Sequence, residues 1–229
     1  MMHASDRIYG IDLSKYQHEI GRKKYGIDWS RLRIAYLGAG NGGSVDYRIS
    51  FIYIKSTEGT TVRNKYFNAD YRQSRAHGFK TGAYHFFSAR SSAAQQAYFF
   101  LKNSHFNSGD LPPVLDLEPD KKQVAQMGGV GGMFSKVRTW LRIVHRATGM
   151  KPVLYVGQGF VNKYLPQAPD IKENYPIWIA RYGQYRPDIR LAFWQLTPYG
   201  RVRGIHGEVD INVFNGYKEQ FEEFMERTR

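Results

Sequence analysis

Short apolar segments recur along the chain, and each has the length and composition of a β-strand. They are rich in β-branched or aromatic residues, and turn residues bound most of them. Because most of these runs are nearly continuous in apolar residues, they are typical of a parallel sheet that is covered on both faces. The eight predicted strands are residues 7–14, 51–57, 79–87, 112–118, 151–157, 175–182, 191–196 and 208–214.

Helical patterns lie between some of these strands. Ser92 and Gln95 form a capping-box pattern ahead of a helix that runs to Asn103. Three further segments have apolar residues at helical spacing or end at a glycine, and these are residues 68–78, 137–149 and 217–227. The intervals after the fifth, sixth and seventh strands are too short or too loop-like for full helices. The pattern therefore predicts one α/β domain over residues 1–229, an irregular (β/α)8-like barrel with fewer than eight full helices.

Two glycine-rich stretches, residues 38–43 and 128–132, are predicted to be flexible loops. Neither is followed by the lysine and serine or threonine of a phosphate-binding loop. A nucleotide-binding function is therefore not indicated.

The fourth predicted strand ends in two acids, Asp116 and Glu118, although burying a charge is costly unless it is paired or used. Residues two apart on a strand face the same side, so Val114 and both acids share one face. In a parallel barrel the other face packs on helices. The acids then point into the interior at the C-terminal end of their strand, where the active sites of such barrels lie.

The same periodicity brings further polar and aromatic side chains to this mouth, with Asp12 near the end of the first strand and Asp210 on the eighth. Taken singly, such an acid is more often a surface residue or a helix cap, a tyrosine is more often a core aromatic, and a lysine is more often the partner of an acid. Four acids at the ends of three strands instead predict a carboxylate-based site, and aromatic faces beside carboxylates suit glycoside chemistry. The predicted ring is Asp12, Lys55, Tyr84, Asp116, Glu118, Tyr155 and Asp210, with Trp178 and Trp194 able to join it.

The amino-acid composition excludes several kinds of site and segment. The chain has no cysteine, which excludes a disulfide, a thiol nucleophile and a thiolate metal site. Its seven histidines lack HExxH or similar spacing, so neither a metal nor any other cofactor is predicted. No run of eighteen apolar residues is present to span a membrane, and the N-terminus MMHASDRIYG has no apolar signal-peptide core.

The formal net charge of +13 favours polyanions such as nucleic acid, anionic lipid or bacterial cell wall. The basic residues are scattered, and no nucleic-acid-binding signature accompanies them. We therefore expect no nucleic-acid partner and interpret the charge as a solvated basic surface.

A series of motifs resembles glycoside hydrolase family 25, the Chalaropsis-type lysozymes. The resemblance implies a flattened barrel with a long groove. It also implies a muramidase that cleaves the β-1,4 bond between N-acetylmuramic acid and N-acetylglucosamine in bacterial peptidoglycan. The motifs run in the family's order over nearly the whole chain, and they are YGIDLSKYQ (9–17), IDW (27–29), FIYIKSTEGTT (51–61), FKTGAYHFF (79–87), LPPVLDLE (111–118), VLYVG (153–157), IWIARY (177–182), FWQLT (193–197) and EVDINVF (208–214).

The resemblance also implies roles for individual residues. Glu118 matches the general acid, and Asp116, Asp12 and Asp210 match the family's other acidic positions. A monomer that acts outside the cell or in the cell envelope is expected from the substrate. The residues expected to bind substrate are Lys55, Tyr84, Tyr155, Trp178, Trp194 and Gln195.

Two segments depart from the family's pattern. Residues 31–50 form a longer stretch than usual, which can reshape one rim of the groove, and residues 120–136 are peculiar to this chain. The preferred type of cell wall therefore does not follow from the resemblance.

Three reaction paths are open for such a site. Carboxyl groups about 5–5.5 Å apart permit a covalent retaining path, and about 6.5–9.5 Å suits inversion. Cβ atoms two residues apart on a strand are separated by roughly 6.6 Å, which fits neither class cleanly. We favour the third path, in which the 2-acetamido group of the sugar attacks the anomeric carbon and Asp116 assists it. Glu118 is then expected to be held protonated by the nearby acids, while Asp116 stays ionised.

Three other functions compete with this hypothesis. A non-catalytic glycan-binding module would bind wall fragments without releasing reducing ends. A chitinase-like enzyme would also use two acids, but it usually has a further aspartate where this chain has Val114. A nucleic-acid-binding protein is suggested only by the charge, and its binding would weaken steeply with salt.

Overall fold

The computed structural model describes residues 3–180 and 190–228. Thirteen strands occur in these ranges, and they are β1 (Tyr9–Leu13), β2 (Glu19–Ile20), β3 (Lys23–Lys24), β4 (Arg33–Tyr36), β5 (Ser44–Tyr47), β6 (Phe51–Glu58), β7 (Val62–Arg63), β8 (Lys80–Phe86), β9 (Val114–Asp116), β10 (Val153–Gly157), β11 (Ile177–Ala180), β12 (Leu191–Arg203) and β13 (Val209–Phe214). All eight predicted strands are present among them. The last two residues of the sixth, 181 and 182, lie outside the described ranges.

Eight strands close into a barrel in the order β11–β10–β9–β8–β6–β1–β13–β12, and β12 pairs with β11 to complete it. Seven of them run parallel, whereas β13 is antiparallel to both of its neighbours, β1 and β12. The prediction of a parallel sheet is therefore wrong at the eighth strand. The reason is the short connection: only residues 204–208 join β12 to β13, and a parallel return needs about a dozen residues or more.

Seven α-helices occur in the described ranges, and they are α1 (Phe67–Ala76), α2 (Ala93–Asn103), α3 (Lys121–Gln126), α4 (Gly129–Thr148), α5 (Gln158–Lys163), α6 (Pro169–Asn174) and α7 (Lys218–Arg227). Three of them, α3, α5 and α6, have only six residues each. The prediction of an α/β barrel with fewer than eight full helices is confirmed. Within the described ranges, no helix has the length and apolar character that crossing a membrane requires.

The prediction of a flexible loop over residues 128–132 is wrong, because α4 begins at Gly129. A Cβ at Gly132 would lie 2.0 Å from the carbonyl oxygen of Met127. Glycine therefore allows the first turn of α4 to pack directly against the end of α3. The other glycine-rich stretch, residues 38–43, does connect two strands, and it joins β4 to β5 around a single 3-10 turn.

Buried side chains form two clusters, one inside the barrel and one between the barrel and its helices. Val114 lies in the inner cluster, whereas Leu115 and Leu117 lie in the outer one, as their alternation in the sequence predicts. Phe221 and Met225 of α7 join the inner cluster. The barrel interior is thus packed with side chains.

Two glycines in the barrel wall give room to aromatic rings of the interior. A Cβ at Gly10 would lie 2.2 Å from the ring of Phe51, and one at Gly82 would lie 2.5 Å from the ring of Tyr53. Each glycine is paired with that aromatic residue on the neighbouring strand. The rings therefore fill the space that a side chain at either glycine would need.

We expect Gly82→Ala to lower the free energy of unfolding by about 1–3 kcal/mol, because the added methyl group overpacks the barrel interior. Urea unfolding followed by tryptophan fluorescence measures the change. Gly26→Ala is the control, since Gly26 is exposed and a Cβ added there would meet no other atom within 4 Å. Equal stability of the two variants would contradict the packing argument.

Candidate active site

A cleft of about 280 Å³ opens at the mouth of the barrel. Nine of the ten residues predicted to form the site line it, and these are Asp12, Lys55, Tyr84, Asp116, Glu118, Tyr155, Trp178, Gln195 and Asp210. The cleft is completed by Ser14, Tyr16, Phe86, Val114 and Pro198. Acids, neutral polar groups and aromatic rings thus meet in one space.

The four acids reach the cleft from two sides of the barrel wall, one formed by β1 and β13 and the other by the end of β9. Asp12 lies on β1 directly opposite Asp210 on β13. Asp116 is the last residue of β9, and Glu118 follows two residues later. The prediction that all four lie at C-terminal strand ends is wrong for Asp210, which lies near the start of its strand. It still reaches the mouth because β13 runs antiparallel to β1.

Trp194 does not line this cleft, although it was predicted to bind substrate. Adjacent residues on a strand face opposite sides, and its neighbour Gln195 lines the cleft. Trp194 packs against the outer cluster, with the guanidinium carbon of Arg7 5.3 Å from the centre of its ring. The sequence analysis predicted that both Trp194 and Gln195 bind substrate, but two adjacent residues of one strand do not face the same side.

Asp12 and Asp210 form a pair of acids on neighbouring strands. Burial raises the pKa of Asp12 well above its usual range, and the nearby charge of Asp210 raises it further. Burial also raises the pKa of Asp210. Because each carboxyl group influences the ionisation of the other, their titrations are linked.

Asp116 and Glu118 form the second pair. Burial raises the pKa of Asp116 well above its usual range, and the nearby charge of Glu118 raises it further. Burial therefore opposes the ionised form that was predicted for Asp116, and its ionisation during the reaction stays a prediction. The Oδ1 atom of Asp116 is buried and has no hydrogen-bond partner among the described residues. Glu118, in contrast, is exposed.

The remaining predicted residues surround these pairs. Lys55 donates a hydrogen bond to Oε1 of Glu58 at 2.7 Å, and its Nζ lies 5.2 Å from the centre of the Phe86 ring. The interpretation of Lys55 as the partner of an acid is thus correct, and the residue also lines the cleft. Burial raises the pKa of the Tyr84 and Tyr155 phenols, so both stay neutral and keep a proton to donate.

Asn212 is a polar residue of this site that the sequence analysis missed. Its Nδ2 donates to Oδ2 of Asp12 at 2.8 Å, and its Oδ1 accepts from Nε1 of Trp178 at 3.1 Å. Its amide therefore fixes the orientation of one carboxyl group of the cleft and of one aromatic ring. The two-residue periodicity of a strand predicts this position, since Asn212 is two residues beyond Asp210 and shares its face of the strand.

The family model of the glycosyl hydrolases family 25 matches residues 11–205 of the chain. The chain belongs to this family. Lysozyme M1 of Streptomyces globisporus is 32% identical, over 91% of this chain and 68% of that protein. The uncharacterized protein YegX of Escherichia coli K12 is 38% identical, over 97% of this chain and 75% of that protein. The crystal structure of the lysozyme from Streptomyces coelicolor superposes with a TM-score of 0.77 at 28% identity and covers 97% of this chain and 99% of that chain.

These similarities confirm the family recognised in the sequence motifs and the barrel fold predicted with it. They also confirm the enzyme class, a glycoside hydrolase of the lysozyme and muramidase type. Within residues 3–180 and 190–228, no group of three or more acidic or histidine side chains is arranged to hold a metal ion.

We expect Asp12→Asn to stabilise the folded protein at neutral pH and to lose that advantage in acid. Asp12 has a raised pKa when folded, so its contribution to stability is full below the unfolded pKa of about 3.9 and falls as the pH rises above it. The asparagine variant keeps its stability because it does not ionise. Thermal unfolding between about pH 3.5 and 7 measures the difference.

Glu226→Gln is the control for this prediction, because Glu226 is exposed on α7, remote from the cleft. Its stability should stay within about 0.5 kcal/mol of the unmodified protein at every pH. A stability gain for Asp12→Asn that is the same at both ends of the pH range would show that the carboxyl charge is not its cause.

Proposed function

We propose that this protein is a peptidoglycan hydrolase, an N-acetylmuramidase that cleaves the β-1,4 bond between N-acetylmuramic acid and N-acetylglucosamine. The observation that carries the proposal is the pair of acids Asp116 and Glu118, which line one cleft together with aromatic rings. Two carboxyl groups at the scissile bond are the usual machinery of glycoside hydrolysis. The similar proteins from two Streptomyces species, both named lysozymes, support peptidoglycan as the substrate class.

Glu118 is the general acid in this proposal. It is the exposed member of its pair, so its carboxyl group can reach the oxygen of the leaving sugar. The raised pKa of Asp116 keeps a proton on the pair in the empty cleft. When the N–H of the substrate's 2-acetamido group donates to Asp116, it favours the ionised form of that carboxyl group. The proton of the pair is then carried by Glu118.

The bond is broken with assistance from the substrate. The acetamido oxygen attacks the anomeric carbon while the glycosidic bond breaks, and the leaving oxygen takes the proton of Glu118. Asp116 balances the positive charge of the resulting oxazolinium ring. Glu118, now a carboxylate, takes a proton from the water that opens this ring, and the product keeps the configuration of the substrate.

Two features of the cleft favour this path over its alternatives. Asp116 and Glu118 come from the same strand end and influence each other's ionisation, whereas the covalent and inverting paths use carboxyl groups about 5–5.5 Å or about 6.5–9.5 Å apart that flank the scissile bond. The buried Oδ1 of Asp116 also lacks a partner among the described residues, and an acetamido group can supply one. An unpartnered buried oxygen is costly, so this bond adds to binding.

The other predicted residues assist in binding and charge stabilisation. Asp12 and Asp210 supply negative charge opposite the positive charge that develops on the sugar ring. Tyr84 and Tyr155 keep their protons and can donate to sugar oxygens, while Trp178 offers an aromatic face. Gln195 and Lys55 bind polar substituents at the edges of the cleft.

A substrate of this kind implies action outside the cell or in the cell envelope. We propose that the protein works there as a monomer, and that it has no nucleic-acid partner because its basic residues are scattered along the chain without a nucleic-acid-binding signature.

We expect Glu118→Gln to lower turnover of purified peptidoglycan by about 10²–10⁴-fold, because glutamine cannot donate the proton, while binding to the wall is retained. Mass spectrometry of the soluble fragments measures the effect, with reducing N-acetylmuramic acid as the expected product end. Glu173→Gln, an exposed change on α6 outside the cleft, is the control and should keep full activity.

Other outcomes of that experiment separate the competing functions. Full activity of Glu118→Gln would refute its role as the acid. Fragments that end in reducing N-acetylglucosamine would show that the enzyme cleaves the other glycosidic bond of the glycan, the one that follows N-acetylglucosamine. Binding without any fragments from the unmodified protein would favour the non-catalytic glycan-binding module.

The substrate-assisted path predicts that the first product has the retained β configuration. Proton NMR in the first minutes of the reaction, before the anomers equilibrate, measures it. A thiazoline analogue of the sugar, which mimics the ring intermediate, should inhibit competitively. An initial α anomer would instead require an inverting mechanism, and retention without thiazoline inhibition would favour the covalent path.

A further inference from the structure

A second cavity of about 580 Å³ continues from one side of the catalytic cleft. The two spaces share part of their lining, including Asp12, Tyr84 and Asp210. A group that occupies the second cavity can therefore be covalently attached to a sugar in the first. The volume lies within the range of about 300–1,000 Å³ that is typical of small-molecule sites, so it accommodates more than a few water molecules.

The walls of this cavity are held rigidly. One wall is the hairpin of β2 and β3, whose residues Glu19, Ile20 and Gly21 face the space. The hairpin is fixed to α1 by the bond between His18 Nε2 and Asp70 Oδ2 at 2.7 Å. The opposite wall is the end of β12 and the loop that follows it.

Further contacts join the two walls at the back of the cavity. The ring of Tyr25 stacks on His206 with their centres 4.2 Å apart. The Nε2 atom of Gln17 donates to the carbonyl oxygen of Glu208 at 3.3 Å. A site formed in advance loses little freedom when a ligand binds, which favours affinity.

The charged side chains around this cavity differ in whether they are paired. Glu19 is held by Lys65 Nζ at 3.0 Å and by the hydroxyl of Tyr66 at 3.2 Å. Arg201 and Glu208 also line the cavity, and neither has an ion-pair partner within the described residues. One unpaired cation and one unpaired anion thus face the same space beside the catalytic cleft.

We infer that this cavity binds the peptide substituent of the muramyl sugar, with Arg201 pairing with a carboxylate of that peptide. The inference rests on the proposed function and names the part of the substrate that the second cavity recognises. Peptidoglycan peptides carry free carboxylates, which the planar guanidinium group binds with two parallel hydrogen bonds. Many also carry a free amine, and Glu208 is available for it.

The test compares two substrates: glycan strands that carry their peptides, and the same strands after an amidase has removed the peptides. We expect Arg201→Gln to lower the ratio of kcat/KM for the first substrate to that for the second by about tenfold, the usual effect of losing one charge-assisted hydrogen bond. Arg201→Lys should restore part of the ratio because it keeps the charge.

Arg203→Gln is the matched control. Arg203 is also exposed at the end of β12, but it lies 3.9 Å from Asp46 and does not line the cavity, so its loss should leave the ratio unchanged. Thermal unfolding of each variant checks that the fold is intact.

Two outcomes would overturn the inference: an unchanged ratio for Arg201→Gln, or an equal fall for Arg201→Gln and Arg203→Gln. Failure of the unmodified protein to cleave either substrate would instead overturn the proposed function itself. The two failures are therefore distinguishable.

Discussion

Four carboxyl groups share the mouth of one barrel, and the repulsion between their charges is the constraint on which the site depends. Each buried charge opposes the ionisation of the others. The acids are grouped in two pairs, Asp12 with Asp210 and Asp116 with Glu118, and the raised pKa values of Asp12, Asp116 and Asp210 limit how many of these charges exist together. The packed aromatic interior beneath them leaves no room for the carboxyl groups to move apart into the barrel. The same enforced closeness keeps a proton available, which a glycosidase requires.

Much of this site could be predicted from the sequence because strand periodicity fixes which side chains share a face. The two-residue alternation in VLDLE assigned Val114, Asp116 and Glu118 to one side, and the structure agrees. The same rule, applied fully, would have excluded Trp194 once Gln195 was chosen, and it would have added Asn212. These two errors came from incomplete use of the pattern and not from a lack of signal.

Other features depend on contacts between distant segments, which local pattern does not reveal. The direction of β13 follows from the length of the connection before it, so apolar composition alone suggested a parallel strand. The start of α4 was missed because glycine is typical of loops, whereas Gly132 is required by its close approach to Met127. The protonation of Asp116 depends on burial by residues from several strands, and its sequence neighbours indicate only part of that environment.

The segment of residues 31–50 links the fold to substrate selection. Its strands β4 and β5 form a hairpin outside the barrel, and β4 pairs with the end of β12 through Arg201 and Val202. This pairing extends β12 beyond the barrel wall and holds Arg201 over the second cavity as part of a sheet and not of a free loop. If the peptide binds there, the segment shapes one rim of the groove, as its length in the sequence suggested. Bond cleavage would then depend on Asp116 and Glu118 at the end of β9. Selection of glycan that carries peptides would depend on a separate part of the sheet, where β4 pairs with the end of β12.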